Sequence, residues 1–171
     1  MTNSTLTLYK LIVLYMLNKV DFPLSKAQIS DFILGKEYTN FLTLQEVLND
    51  LVDAGFVESK TMRNRTLLTI TQEGQNTLSY FENRINPEII EDINEYFINN
   101  NMQIKNELAV QAQYYKNTAG EYTAELVVKD KNVNLISLSL SVPTEDIASS
   151  ICANWQKKNE SIYQYLTKEL F

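Results

Sequence analysis

Residues 38–74 read YTNFLTLQEVLNDLVDAGFVESKTMRNRTLLTITQEG, and this stretch decides the fold of the N-terminal half. Its apolar residues recur at spacings of three and four, which predicts a helix over residues 39–54. The predicted core face of that helix carries Phe41, Leu44, Leu48 and Leu51. Gly55 follows at once, and glycine readily adopts the left-handed conformation that ends a helix.

A hairpin with a basic tip is predicted next. Two short β segments cover residues 56–62 and 66–70, and the turn Arg63-Asn64-Arg65 between them carries two guanidinium groups. Lys60 adds a third cation, with no acidic residue between it and the arginines. Thr71 then opens a further helix. The order helix, glycine, basic hairpin, helix suits contact with a nucleic-acid backbone, although such cations also occur in hairpins that contact only solvent.

The residues before this stretch complete an ordered series of elements. Residues 6–19 form a helical pattern that is apolar on nearly every side, which predicts burial against the core and also against a second domain or subunit. Residues 22–24 are extended, and Ser25 is a plausible N-cap for a helix over residues 26–34. The resulting order α-β-α-α-β-β-α is that of a winged helix-turn-helix and is assigned to residues 1–85.

Two motifs carry a resemblance to a known family. They are Leu48-x-x-Leu51-x-x-x-Gly55-Phe56-Val57 and Leu68-Thr69-Ile70-Thr71-x-x-Gly74, which flank the basic hairpin. On these motifs, residues 6–81 resemble the PadR-like branch of winged-helix transcriptional regulators. The whole chain also resembles a family of uncharacterised bacterial proteins that join such a domain to a small α/β tail.

The resemblance implies a docking mode on double-stranded DNA. The helix over residues 39–54 would enter the major groove, and its N-terminal turns would meet the bases. Glu46 would accept a hydrogen bond from a cytosine amino group, while cations outside the helix hold phosphates. The predicted DNA-contacting residues are Lys26, Lys36, Thr39, Asn40, Thr43, Glu46, Lys60, Arg63, Asn64 and Arg65.

The charge distribution opposes strong binding by a single subunit. Residues 1–85 carry eight Lys/Arg against nine Asp/Glu, residues 86–171 carry seven against twelve, and the net charge is −6. The helix over residues 39–54 has no Lys or Arg, and its exposed face is expected to carry Glu46, Asp50 and Asp53. We therefore expect weak DNA binding by a monomer and a homodimer as the functional form. The alternative is a winged helix that contacts another protein and no DNA.

The second half, residues 86–171, predicts a helix, a three-stranded antiparallel sheet and a helix, so the fold class is α+β. In the third strand, alternation shifts by one residue between Leu135 and Ile136, which predicts a β-bulge. Serines 137, 139 and 141 are expected to face solvent. This half is expected to mediate dimerisation or to respond to an unidentified small-molecule or protein effector. Tyr114, Tyr122 and Trp155 would line an aromatic effector pocket or, alternatively, belong to the core.

Composition argues against an enzyme. The chain has no histidine, one cysteine (Cys152) and four glycines, so it lacks the commonest general base, a Cys/His metal motif and a glycine-rich phosphate loop. No cofactor or metal is therefore expected. The longest apolar run, residues 11–17, is far shorter than the ~20 residues of a membrane helix. A lone cysteine that cannot form an internal disulfide is typical of a cytoplasmic protein.

Overall fold

The computed structural model describes residues 3–62, 65–130 and 133–171 and divides into two compact units, Met1–Asn100 and Asn101–Phe171. The first unit begins with α1 (Asn3–Lys19), β1 (Leu24–Ser25), α2 (Lys26–Gly35), α3 (Phe41–Asp53), β2 (Val57–Met62), β3 (Arg65–Ile70) and α4 (Gln72–Phe81). A short 3₁₀ helix (Glu82–Arg84) precedes α5 (Pro87–Ala109), which runs into the second unit. The second unit continues with β4 (Val110–Lys116), β5 (Tyr122–Asp130), β6 (Val133–Val142) and α6 (Glu145–Leu170). Mixed helices and antiparallel sheets confirm the predicted α+β class.

The first unit is built around α1 and a small antiparallel sheet in the order β1-β3-β2. The apolar residues over 11–14 and 16–17 of α1 are all buried, as the all-round apolar pattern predicts. However, α3, α4 and β3 of the same unit pack against this helix. The burial of α1 therefore needs no second subunit, contrary to the expectation from the sequence.

Side-chain caps fix where the helices of this unit begin. Ser25 forms a capping box with Gln28, in which each side chain bonds the other's backbone N–H at 2.8–3.1 Å. Thr71 Oγ1 accepts a hydrogen bond from Gly74 N and so caps α4. The predicted caps at Ser25 and Thr71 are thus confirmed. Gly55 has a φ of +75°, the left-handed conformation expected after α3.

Gly74 occupies the tightest backbone contact of the first unit's glycines. A Cβ at this position would lie 2.2 Å from Phe56 O and 2.8 Å from Ile70 Cγ1. Phe56 O is itself held in place, because it accepts a hydrogen bond from Thr71 N at 3.0 Å. The first turn of α4 therefore lies directly on the backbone before β2, an approach that only glycine permits.

The second unit has an antiparallel sheet in the order β4-β5-β6, against which α6 packs. Val128 pairs with Ile136 and Lys129 with Asn134, so Leu135 is an extra residue on β6 and the predicted bulge is confirmed. The three serines of β6 are exposed, as predicted. Trp155 of α6 is 1% exposed, and its Nε1–H donates to Val127 O at 3.4 Å. It therefore lies in the core of this unit.

The border between the units lies at residues 100 and 101, inside α5, and differs from the predicted border at residues 85 and 86. The reason is that the first half of α5 binds the first unit. Tyr96 Oη donates to Gln28 O at 3.2 Å, and Ile93 is fully buried. In the described residues, no helix has the length and apolar character to cross a membrane.

Candidate nucleic-acid interface

The hairpin β2–β3 presents exposed charges along its outer half. Lys60 of β2 and Arg65 of β3 are exposed, and Glu58 is an exposed acid nearer the base of the hairpin. Arg65 pairs with Met62 and is the first residue of β3, so the prediction that it lies in the turn is wrong. The other predicted turn residues, Arg63 and Asn64, lie outside the described residues.

The N-terminal turn of α3 differs from its predicted form. Asn40 is exposed, but its Oδ1 accepts a hydrogen bond from Thr43 N at 3.0 Å, and α3 therefore begins at Phe41 and not at Thr39. Thr43 is only 6% exposed, which argues against the predicted contact between its side chain and DNA. The Oγ1 atom of Thr39 is also buried and has no hydrogen-bond partner among the described residues. Asn40 therefore caps α3, while Thr43 and the Oγ1 atom of Thr39 are buried.

Two apolar side chains occupy the exposed surface of this turn instead. Phe41 is 58% exposed and Leu42 is 78% exposed. The prediction that Phe41 lies in the core is wrong, because this first residue of α3 is more than half exposed. The buried residues of α3 are Thr43, Leu44, Val47, Leu48 and Leu51. The sequence signal for an exposed Leu42 is its spacing, since it is two residues from Leu44 and so lies on the opposite side of a helix with 3.6 residues per turn.

Lys36, predicted to bind a phosphate, is bound within the first unit. Its Nζ lies 2.7 Å from Asp92 Oδ1 on α5, and Tyr38 Oη donates to Asp92 Oδ2 at 2.5 Å. These hydrogen bonds hold the pKa of Asp92 below its usual value and raise the pKa of Lys36. The pKa of Tyr38 is raised by burial first and by Asp92 second. Lys36 therefore already has a carboxylate partner, its contact with DNA stays a prediction, and the turn between α2 and α3 is held to α5.

This contact predicts a specific dependence of stability on acid. Because the folded-state pKa of Asp92 lies below its unfolded value of 3.8, the contact stabilises the fold above pH 4 and is lost as the pH falls through the lower value. Asp92→Asn should lower the urea midpoint at pH 7 and flatten its decrease between pH 4 and 2. Glu91→Gln removes the neighbouring exposed carboxylate and is the control. Parallel pH profiles for the wild type and Asp92→Asn would contradict this role.

The exposed face of α3 carries fewer uncompensated carboxylates than the sequence indicates. Asp50 lies 2.8 Å from Lys10 Nζ of α1, so its charge is compensated inside the first unit. Glu46 and Asp53 remain exposed. Lys26, at the start of α2, is half-buried. Lys26 lies at the edge of this surface, and Lys60 and Arg65 are exposed on the hairpin.

The three aromatic residues predicted to line an effector pocket divide into two groups. Trp155 is a core residue, as described above. The rings of Tyr114 and Tyr122 lie 6.5 Å apart between centroids on the sheet, and Tyr114 Oη donates to Glu145 Oε1 at 3.3 Å. For the residues that the structure covers, no group of three or more Cys, Asp or Glu side chains is placed to hold a metal ion.

Comparisons with known proteins relate the chain to a family. A family profile described as a domain of unknown function (DUF4364) matches residues 9–170, which is nearly the whole chain. No curated protein and no solved structure matches the chain.

Proposed function

The chain belongs to the DUF4364 family, and from its structure we propose that it is a DNA-binding transcriptional regulator with a PadR-like winged helix in its first unit. The observation that carries the proposal is the hairpin β2–β3, whose outer half bears exposed Lys60 and Arg65 and which follows the helix pair α2–α3. In winged-helix docking, the second helix of such a pair enters the major groove and the hairpin contacts the backbone.

The topology supports this assignment, because the order of the helices and strands in the first unit is the order expected for a winged helix. β3 lies between β1 and β2, with Leu24 opposite Leu68 and Lys60 opposite Leu67. The glycine turn after α3 starts β2, and the capped start of α4 follows β3. In this proposal, the exposed end of α3 and the basic part of the hairpin are therefore the two elements that contact a DNA duplex.

The described contacts also reassign the roles at this surface. In this proposal we assign no DNA contact to Lys36 and Thr43, since the first binds Asp92 and the second is buried. Phosphate binding falls to the hairpin cations, including Arg63 by its place in the sequence. With so few cations per subunit and a net charge of −6, useful affinity requires two subunits, because each phosphate contact adds only a limited electrostatic term.

The exposed apolar turn of α3 favours a second candidate function. Phe41 and Leu42 would contact thymine methyl groups in a major groove, but an exposed aromatic and aliphatic pair is equally suited to a partner protein. In that case the first unit would be a protein-interaction module that does not bind DNA. The acidic residues of α3 and the negative net charge support this alternative.

Removal of the hairpin arginines separates the two functions. We expect genome-wide enrichment of the native protein to give sharp, recurrent DNA peaks that are lost in Arg63→Ala/Arg65→Ala. On the recovered site, this variant should bind at least roughly tenfold more weakly, and its slope of log affinity against log salt should fall by about 2 per subunit. The reason is the loss of two phosphate contacts, which titrations at several salt concentrations measure.

The matched control is Lys157→Ala/Lys158→Ala, which removes two exposed cations from α6 and so changes the net charge equally. It should retain both the peaks and the salt slope. Equal slopes for the wild type and the arginine variant, with both proteins folded, would exclude the hairpin as the DNA contact. Flat enrichment together with recovery of one constant protein partner would favour the second candidate.

A further inference from the structure

β6 is a long, uncharged edge strand with a bulge at Leu135 and a regular segment after it. It covers ten residues, Val133–Val142, and among the described strands it is paired with β5 alone. Every second residue of such a strand directs its N–H and C=O away from its neighbour. Exposed edges normally carry charges, proline, a β-bulge or a short length, because they otherwise pair with another strand. The bulge of β6 lies at Leu135, before the regular segment 136–142. None of the ten residues of β6 is charged or proline.

The other edges of the two sheets differ from β6 in this respect. β2, an edge of the first sheet, carries exposed Glu58 and Lys60. β4, the opposite edge of the second sheet, ends at Lys116 and covers seven residues. The whole chain has a net charge of −6. Because β6 itself carries no charge, a second copy of the chain can approach this edge without meeting a charged side chain on the strand.

The segment Ile136–Ser137-Leu138-Ser139-Leu140-Ser141-Val142, which follows the bulge, is symmetric in residue type about Ser139. If two copies pair antiparallel about that serine, leucine faces leucine, serine faces serine, and Ile136 faces Val142. Opposed residues lie on the same face of a sheet. A twofold pair therefore places all the apolar residues on one face and all the serines on the other.

The apolar face is also the one that α6 covers. Tyr114, Ala124 and Leu140 lie in register across the three strands, and Tyr114 donates to Glu145 of α6. Ala124 on the central strand is fully buried, whereas Leu140 on the edge is 43% exposed. Ile147, near the start of α6, is also 43% exposed. Burial on this face therefore ends at the β6 edge, where a second strand would extend it.

We infer that β6 binds β6 of a second copy of this chain, antiparallel and centred on Ser139, to give a continuous six-stranded sheet. The occupant is a second copy because the segment is complementary to itself in residue type and carries no charge that would oppose pairing. The backbone groups directed away from β5 pair across the twofold axis, and Leu138 and Leu140 of each copy cover one another. This inference depends on the second sheet alone and holds whether or not the first unit binds DNA.

A charged residue introduced at the twofold axis tests the inference. Ser139 is exposed, so a charged side chain there should leave the fold of one subunit intact, which far-ultraviolet circular dichroism checks. The wild type should have the mass of a dimer by light scattering. Ser139→Glu alone and Ser139→Lys alone place like charges opposite each other, and each should dissociate at least tenfold more readily than the wild type. An equimolar mixture of the two should recover the dimer.

A cross-link gives an independent result if the charged variants fold poorly. Directly opposed residues in antiparallel strands have Cα atoms about 4.5–5.5 Å apart, within the range of a disulfide. Ser139→Cys with Cys152→Ser should form a linked dimer under mild oxidation, whereas Ser161→Cys with Cys152→Ser should not. A monomeric wild type, or the absence of a linked dimer at position 139, would overturn the inference. Loss of DNA binding in the hairpin variant with the dimer retained would leave it standing.

Discussion

Gly74→Ala is expected to lower the stability of the first unit by about 3 kcal/mol. The added Cβ would lie 2.2 Å from Phe56 O and 2.8 Å from Ile70 Cγ1, distances that require a backbone shift. That shift is resisted, because Phe56 O accepts from Thr71 N and Thr71 Oγ1 donates to Gly55 O at 2.7 Å. The change would therefore disturb the start of β2, the end of β3 and the cap of α4 together.

Gly35→Ala is the matched control for this variant. Gly35 also lies in a helix, at the end of α2, but a Cβ at that position has nothing within 4 Å. Its effect should stay within about 0.5 kcal/mol. Urea unfolding curves of both variants measure the difference. Equal curves for the two alanine variants would show that the contact between α4 and Phe56 relaxes without cost.

Trp155→Ala is expected to remove about 3–5 kcal/mol from the second unit. Trp155 is the largest fully buried side chain, and its loss would leave a cavity between α6 and the sheet. It would also remove the donor to Val127 O, a second cost in a buried place. The second unit should then unfold at lower urea concentration than the first, and the transition should split into two.

Trp155 is the single tryptophan of the chain, so its replacement removes tryptophan fluorescence as a probe of unfolding. Unfolding should therefore be followed by circular dichroism and by hydrogen exchange of β5 amides. Tyr165→Ala provides the comparison, because Tyr165 is an aromatic residue of the same helix that is 63% exposed. The Tyr165→Ala protein should have the same urea unfolding curve as the wild type. A Trp155→Ala protein that also follows the wild type would mean that the core of the second unit refills the space.

Local patterns predict much of this fold, because they depend on neighbouring residues. Ser25 and Thr71 cap helices as their sequence context predicts, and Gly55 adopts the left-handed turn. The shift of alternation at Leu135 predicts the bulge on β6. Each of these signals requires only a few adjacent residues, whose geometry is fixed by the capping atom, the missing Cβ or the strict alternation of a strand.

The composition of the candidate site depends on distant partners, which no local pattern contains. Lys36 and Asp92 are 56 residues apart, and no spacing rule indicates that they meet. The same holds for Lys10 and Asp50. The spacing of apolar residues along a helix also does not indicate where the core ends. Phe41, at the first position of α3, continues the apolar spacing and is nevertheless exposed. Predicted charges at such a surface therefore need their partners before they can be counted.

The course of α5 sets the smallest fragment of the chain in which α2 and α3 keep their native supports. A fragment ended at Ile85 would delete Asp92 and Tyr96, and with them the partners of Lys36, Tyr38 and the α2 backbone. Any excised domain or chimaera should therefore retain α5 as far as Asn100, the last residue of the first unit. A helix that the sequence assigns to the second half thus acts, through its first part, as the final structural element of the N-terminal domain.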